Sequence, residues 1–447
     1  MRHIAPLLAL PTTLVFAACF NPRAGEMADG NDTDADDTSA GTSAGPSDGT
    51  ATAPTTNDTT PTTADDDPTT TAGPGETEDA GCIEHDDCTD PGAPFCTAGT
   101  CVACDETPTP NDACSSRYPD SPLCDAGECV QCTAADTSSC DGNTPICDTD
   151  ARTCTACTYH YQCPDSACDI AEGSCMPTDR VWTVGPTGTG DYHLFADALS
   201  QIPSGQKGTL VMLDGTHQVF STITGGRTVA IIRGDGNPTF LAELSMSNAT
   251  VYIQGIKMSG NVSPEAIYAS GTRLWLDDCW FGEIIVGTSG FYAPQSRTAI
   301  RLRSGADLTM RNSIVGGFDE PNEYGVDIGG GSHANILYST VGARASNLAL
   351  TCSNPGTVTV RNSIIASQGN PAYSCATAEL VSTAVRTSVS TANFADYTRG
   401  DLHLTAFGAG HFANIAAWQA GDPPFDIDGD ARVSVDGAPE HAGADVP

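Results

Sequence analysis

The chain has 447 residues, with 56 acidic against 19 basic side chains and a formal charge of -37. That excess of negative charge argues against nucleic acid as a partner, whose phosphates it repels, and against charge-driven docking on anionic lipid. Twenty cysteines, sixteen of them between Cys82 and Cys175, indicate a disulfide framework if the compartment is oxidising.

The first residues, MRHIAPLLALPTTLVFAAC, combine a basic start, an apolar run and small residues before Cys19, the pattern of an export signal. Phe16-Ala17-Ala18-Cys19 resembles the lipobox of bacterial lipoproteins, with Phe where Leu is usual. That resemblance implies a signal peptide over 1–18 and lipidation of Cys19. Phe20 stands where an Asp would resemble an inner-membrane retention signal, so the expected location is the outer membrane or cell surface. The alternative is an ordinary secretory signal that ends near a cysteine. Residues 19–81 are mostly Thr, Asp, Ala, Pro, Ser and Gly. They cannot bury enough apolar surface to offset backbone entropy, so they are expected to form a disordered acidic tether.

Between 82 and 178 the cysteines fall into four groups of four, each joined to the next by CxxC, as in CVAC, CVQC and CTAC. A proline precedes the third cysteine in the first three groups. CxxC also serves zinc and redox chemistry, but no histidine sits at ligand spacing and no βαβ pattern surrounds these pairs. Four small repeats whose core is the disulfides themselves is the reading adopted, with the pairing left open. In style and spacing they resemble cysteine-rich repeats of large surface proteins of myxobacteria. A stalk or small binding module is expected.

After Val181 the text alternates with period two. The segments around RTVAIIRG, ATVYIQGIKMSG, TRLWLDDCWFGE, ADLTMRNSIVGG, HANILYSTVGAR and GTVTVRNSIIAS align so that one column holds Arg233, Gly255, Asp278, Asn312, Tyr338 and Asn362. Apolar alternation on both sides of a single turn residue predicts two strands per coil of a parallel β-helix, like stacking on like. Ahead of it, residues 192–202 predict a short capping helix with Leu194, Phe195, Ala198, Leu199 and Ile202 as its apolar stripe.

The stretch VGPTGTGDYHLFADALSQIPSGQKGTLVMLDGTHQV resembles the opening of right-handed β-helix proteins of the pectin-lyase-like superfamily, with Asp214 where that pattern has proline. The resemblance implies an all-β, right-handed parallel β-helix over 180–425, followed by an acidic C-terminal segment over 426–447. It says little about activity.

The superfamily includes pectate lyases and polygalacturonases, so Asp277, Asp307 and Arg311 are weak catalytic candidates, with no calcium-holding carboxylate cluster around them. Phe291 and Tyr292, in the extra chain of the longest coil, and Tyr324 nearby are candidates for stacking against a sugar ring. Asp426, Asp428 and Asp430 have the alternating oxygen spacing of a calcium loop, but the glycine and the closing Glu are misplaced. Apart from calcium at that segment, no cofactor is expected. Cys352 and Cys375 lie about one coil apart and are expected to be bridged. The function expected is a lipid-anchored surface protein displaying a non-catalytic β-helix to a polysaccharide or a surface protein. The alternatives are a polysaccharide lyase or hydrolase and a purely structural envelope protein.

Overall fold

Leu210, Ile231, Ile253, Leu276, Met310, Ile336 and Val360 stand one above another in successive parallel pairs. Each is at most 1% exposed, so this column is the axis of the core. Each such side chain contributes roughly 1.5–3 kcal/mol by leaving water. The computed structural model that shows this describes residues 81–447, apart from 261–264, 283–284, 287–290, 293–297, 317–323, 345–346 and 370. The side chains of Leu241, Ala242, Ile285, Val286, Phe291 and Tyr292 also lie outside the description, as do residues 1–80, where the signal peptide, the lipidated Cys19 and the tether are expected.

The architecture is an all-β parallel solenoid with small disulfide-rich repeats before it. Its first face holds nine described strands, from Val181–Val184 and Lys207–Met212 up to Val358–Arg361 and Ala378–Val381, all parallel. The second face follows two residues later and runs from Lys257–Gly260 to Ala384–Arg386. Gly255, Asp278, Asn312, Tyr338 and Asn362 form the corner between them, and all five have positive φ. Arg233 departs from that column: it ends its strand in extended backbone. The left-handed corner explains the residue types, because Gly, Asn and Asp enter this region at the least cost.

A third face went unpredicted. It comprises Glu265–Ser270, Thr298–Arg303, Tyr324–Gly329, Leu348–Ser353 and Tyr373–Ser374. In the lower coils the second and third faces are one continuous strand, Pro238–Ser247, paired with Gly215–Ile223. The coil ends at Arg386, well before residue 425, because the chain from there folds back as a separate layer. The helix Phe195–Ser200 buries Phe195, Ala198 and Leu199, with Ile202 just beyond. Leu194 leaves the stripe: it is the extended residue before the helix and is half exposed.

The Arg-Asn-Ser repeat is accounted for residue by residue. Ser313 and Ser363 point inward, and each Oγ donates to the carbonyl two residues back, Arg311 and Arg361, at 2.8 Å. Each also accepts from the coil below, Ser313 from Cys279 N at 3.2 Å and Ser363 from Ser339 N at 3.1 Å. These bonds satisfy backbone groups that the corner would otherwise bury unpaired. The asparagine amides reach outward to the folded-back layer. Asn312 Nδ2 donates to Phe425 O at 2.7 Å, and Asn362 Nδ2 to Ala417 O at 2.9 Å. The arginines meet carboxylates, Arg311 with Asp277 at 3.0 Å and Arg361 with Asp422 through both of its terminal nitrogens. Gly316 and Gly342 bring Leu402 of that layer onto the sheet, since a Cβ at either would lie within 3 Å of its side chain.

The four repeats share one disulfide pattern, first cysteine to third and second to fourth. It runs from Cys82–Cys96 and Cys88–Cys101 to Cys157–Cys168 and Cys163–Cys175. Cys352 and Cys375 are also joined, with Cα atoms 4.8 Å apart. The fourth repeat does not stand off as a stalk. Ala167 and Met176 pack on Ala230 and Tyr252, on the outer side of the first face. Tyr252 Oη donates to Asp169 at 2.6 Å, and Lys207 pairs with the same carboxylate at 2.7 Å.

Candidate functional site

With the fourth repeat against the first face and residues 391–447 over the second, the corner between them becomes the floor of a cleft of about 530 Å³. Arg233, Gln254, Gly255, Asp277, Asp278 and Asn312 form the floor, Tyr159 and Tyr161 one wall, and residues 423–429 the other.

The tyrosine wall is built locally. Disulfides Cys157–Cys168 and Cys163–Cys175 pin both ends of the 3-10 turn His160–Gln162. Gln162 Oε1 accepts from Thr158 N at 2.7 Å and Tyr159 N at 3.0 Å. His160 is buried, which lowers its pKa to about 4, so it is the neutral ring whose Nδ1 accepts from Cys168 N. Tyr159 and Tyr161 thereby stack with centroids 5.4 Å apart and planes at 19°. Tyr161 stays 65% exposed, leaving one broad face open. Arg311 closes the wall onto the solenoid, with its guanidinium 4.4 Å from the Tyr159 ring and a bond to Thr158 O at 3.2 Å.

The opposite wall is held by Asp426. Its Oδ1 accepts from Asp428 N at 3.0 Å and Asp430 N at 2.8 Å, and its Oδ2 from Val446 N at 2.8 Å. This tight acidic turn leaves Phe425 half exposed.

On the floor, Asp277 is 6% exposed and its Oδ1 has no hydrogen-bond partner among the described residues. Burial raises its carboxyl pKa, against the pull of Arg311. Asp278 is pushed up to about 8 by burial and then by the neighbouring Asp277 charge. It is therefore largely protonated at neutral pH, a donor where most carboxyls are acceptors. Gln254 Nε2 donates to it at 3.4 Å. The arrangement offers stacking surfaces around a floor of closely set donors and acceptors.

Of the residues expected from sequence to form a site, Asp277 and Arg311 do meet, but Asp307 does not join them. It opens the strand that Arg311 closes, roughly 13 Å away at the rise of an extended chain, and it faces Arg273 and His333 in register. Tyr324 begins a third-face strand, half-buried, and does not line the cleft. Phe291 and Tyr292 pair antiparallel with Ile285 and Val286 through their backbones, and their side chains lie outside the described residues. Asp426, Asp428 and Asp430 do not converge. The first is spent on backbone amides and the other two are exposed. Among the described residues the only ligand atoms grouped closely enough for a metal are cysteine sulfurs, all of them in disulfides.

Tyr159, Tyr161, Asp278 and Phe425 were not expected at a site. Asp278 read as a turn residue, which it also is. The one sequence signal for the tyrosines is that the fourth repeat departs from the others: CTYHYQC places two aromatics, and proline no longer precedes the third cysteine.

The fold and this cleft define a disulfide-stapled β-solenoid protein. Residues 67–181, about a quarter of the chain, match the model of a family of unknown function, DUF8331. No curated protein and no solved structure matches the chain.

Proposed function

We propose that this chain is a lipid-anchored surface protein whose solenoid presents the cleft to a saccharide. The observation that carries the reading is a stacked tyrosine pair facing Phe425 across a polar floor, within a volume typical of small-ligand sites. Aromatic faces suit the flat CH-bearing faces of sugar rings, and the floor suits hydroxyl pairs. A surface protein remains the alternative partner, because the open Tyr161 and Phe425 would equally serve as interface anchors. Cys19 as the anchor and the outer membrane or cell surface as location belong to the same proposal and rest on the export and lipobox pattern.

Catalysis is the second reading, favoured by one arrangement: two adjacent carboxyls on the cleft floor, Asp277 paired with Arg311 and Asp278 raised by burial toward the protonated form a general acid needs. A single experiment separates these readings. The mature, oxidised chain is incubated with neutral and charged polysaccharides, and both retained protein and new chain ends are measured. Retention without new ends supports binding alone, and ends that vanish in Asp278→Asn establish cleavage. Neither result across the panel removes the saccharide reading and leaves protein contact or a structural role. Anchoring is tested by fractionation of Cys19→Ser, which should release the chain from the membrane.

A further inference from the structure

Resting on the reading of the cleft as a saccharide site, we propose that the sugar it takes carries a free primary amine, seated between Asp278 and the tyrosine wall. Four carboxyls line the cleft, Asp277, Asp278, Asp426 and Asp428, against one guanidinium group in the lining, Arg233, with Arg311 behind Asp277. Arg311 is already committed, with one carboxylate, one carbonyl and one ring as partners. The Asn312 amide is committed at both ends, to Phe425 O and to Arg432. What the floor lacks is a donor at its acidic end: Asp277 Oδ1 accepts no hydrogen bond among the described residues, although Arg311 pairs with the other oxygen, and Asp278 beside it receives the Gln254 amide at 3.4 Å and a bond from Asn312.

An ammonium group supplies that donor. A cation beside Asp278 makes a charge-assisted hydrogen bond, and flanking aromatic faces attract the same charge. The proton account closes without any other reactant, because an amine with Asp278 acid and an ammonium with Asp278 carboxylate hold the same single proton. A uronate meets the opposite situation. Its carboxylate would face the Asp277 charge, with Arg311 turned away into its own pairs and exposed Arg233 the one cation in the lining to answer it. An N-acetylated sugar can still stack but brings no charge.

Three oligosaccharides of equal length test this by calorimetric titration of the mature, oxidised chain: a β-1,4-glucosamine oligomer, its N-acetylated counterpart and an oligogalacturonate. The amine oligomer should bind at least about tenfold more tightly than the acetylated one, and the uronate should not bind. Asp278→Asn should bring the two glucosamine forms within about threefold of each other, leaving the acetylated affinity unchanged. This variant should fold, since Asn312 and Asn362 occupy the same left-handed corner position in later coils. A preference for the amine that survives in Asp278→Asn comes from the overall charge of the chain and overturns the inference. Equal binding of the two glucosamine forms, or tighter binding of the uronate, overturns it while leaving the saccharide reading standing. Binding of none of the three removes both.

Discussion

Asn362 holds Ala417 by both backbone groups: its Nδ2 donates to the carbonyl at 2.9 Å, and its Oδ1 accepts the N–H at 3.2 Å. Its own backbone is left-handed, at φ 55°. One residue thus turns the coil and docks the C-terminal layer. Asn362→Gly keeps the turn and removes the clamp, while Asn362→Ala loses both. We expect Gly to cost about 2 kcal/mol and Ala about 1 kcal/mol more, read from urea unfolding. Equal losses would mean that the backbone conformation contributes nothing at this corner.

Asp422 is buried against Arg361 and also accepts from Gln419 N at 2.9 Å. Removing one member of such a pair strands the other. Asp422→Ala should therefore cost about 3 kcal/mol, and the Arg361→Met, Asp422→Ala double variant clearly less than the sum of the singles. Strict additivity in the double-mutant cycle would show that the pair is not energetically coupled.

Cys279 is the only free cysteine among the described residues. It occupies the inward position that Ser313, Ser339 and Ser363 hold above it, and its Sγ sits 3.4 Å from Asp277 O, matching the serine bonds. Cys279→Ser should lose less than about 1 kcal/mol, because the hydroxyl inherits an acceptor already in place. Cys279→Val keeps the apolar volume but loses the donor and should be the worse of the two in thermal unfolding.

The pH dependence of stability follows from Asp278. Its folded pKa, about 8, lies above the ordinary 3.8, so the folded chain keeps a proton that the unfolded chain has released. The stability this adds is complete below about pH 4 and is lost as pH rises through about 8. Asp445, raised to about 6 chiefly by burial, acts with the same sign at lower pH and is common to both proteins in the comparison. Asp278→Asn should match the parent near pH 4 and exceed it by on the order of 2 kcal/mol at pH 9. Unfolding midpoints at the two pH values decide it, and parallel curves would refute the raised pKa.

Reduction should separate the cleft from the coil. The tyrosine wall depends on Cys157–Cys168 and Cys163–Cys175, whereas the solenoid core is apolar and stacked. With dithiothreitol, retention on a bound polysaccharide should fall about tenfold or more while the β signal in circular dichroism persists. Tyr161→Ala should reproduce the loss without reductant. Unchanged retention in both would place the site elsewhere.

The coil was legible in the sequence because its cause is local and repeated. Alternation puts Val251, Ile253, Leu274 and Leu276 on one side, and a corner residue recurs because a left-handed turn admits few side chains. The third face escaped notice because its strands begin at varying distances along the chain from that corner, so they share no column. The cysteine periodicity marked four repeats but not their pairing, since spacing alone does not say which sulfurs meet. The cleft lay beyond sequence reading for a different reason. Its walls come from residues near 160 and near 425, and its floor from residues between 233 and 312. Only the docking of Tyr252 on Asp169, and of Asn312 and Asn362 on the returning chain, brings them together. Local composition determined that this chain coils. Long-range contacts between polar side chains and distant backbone decided where it opens.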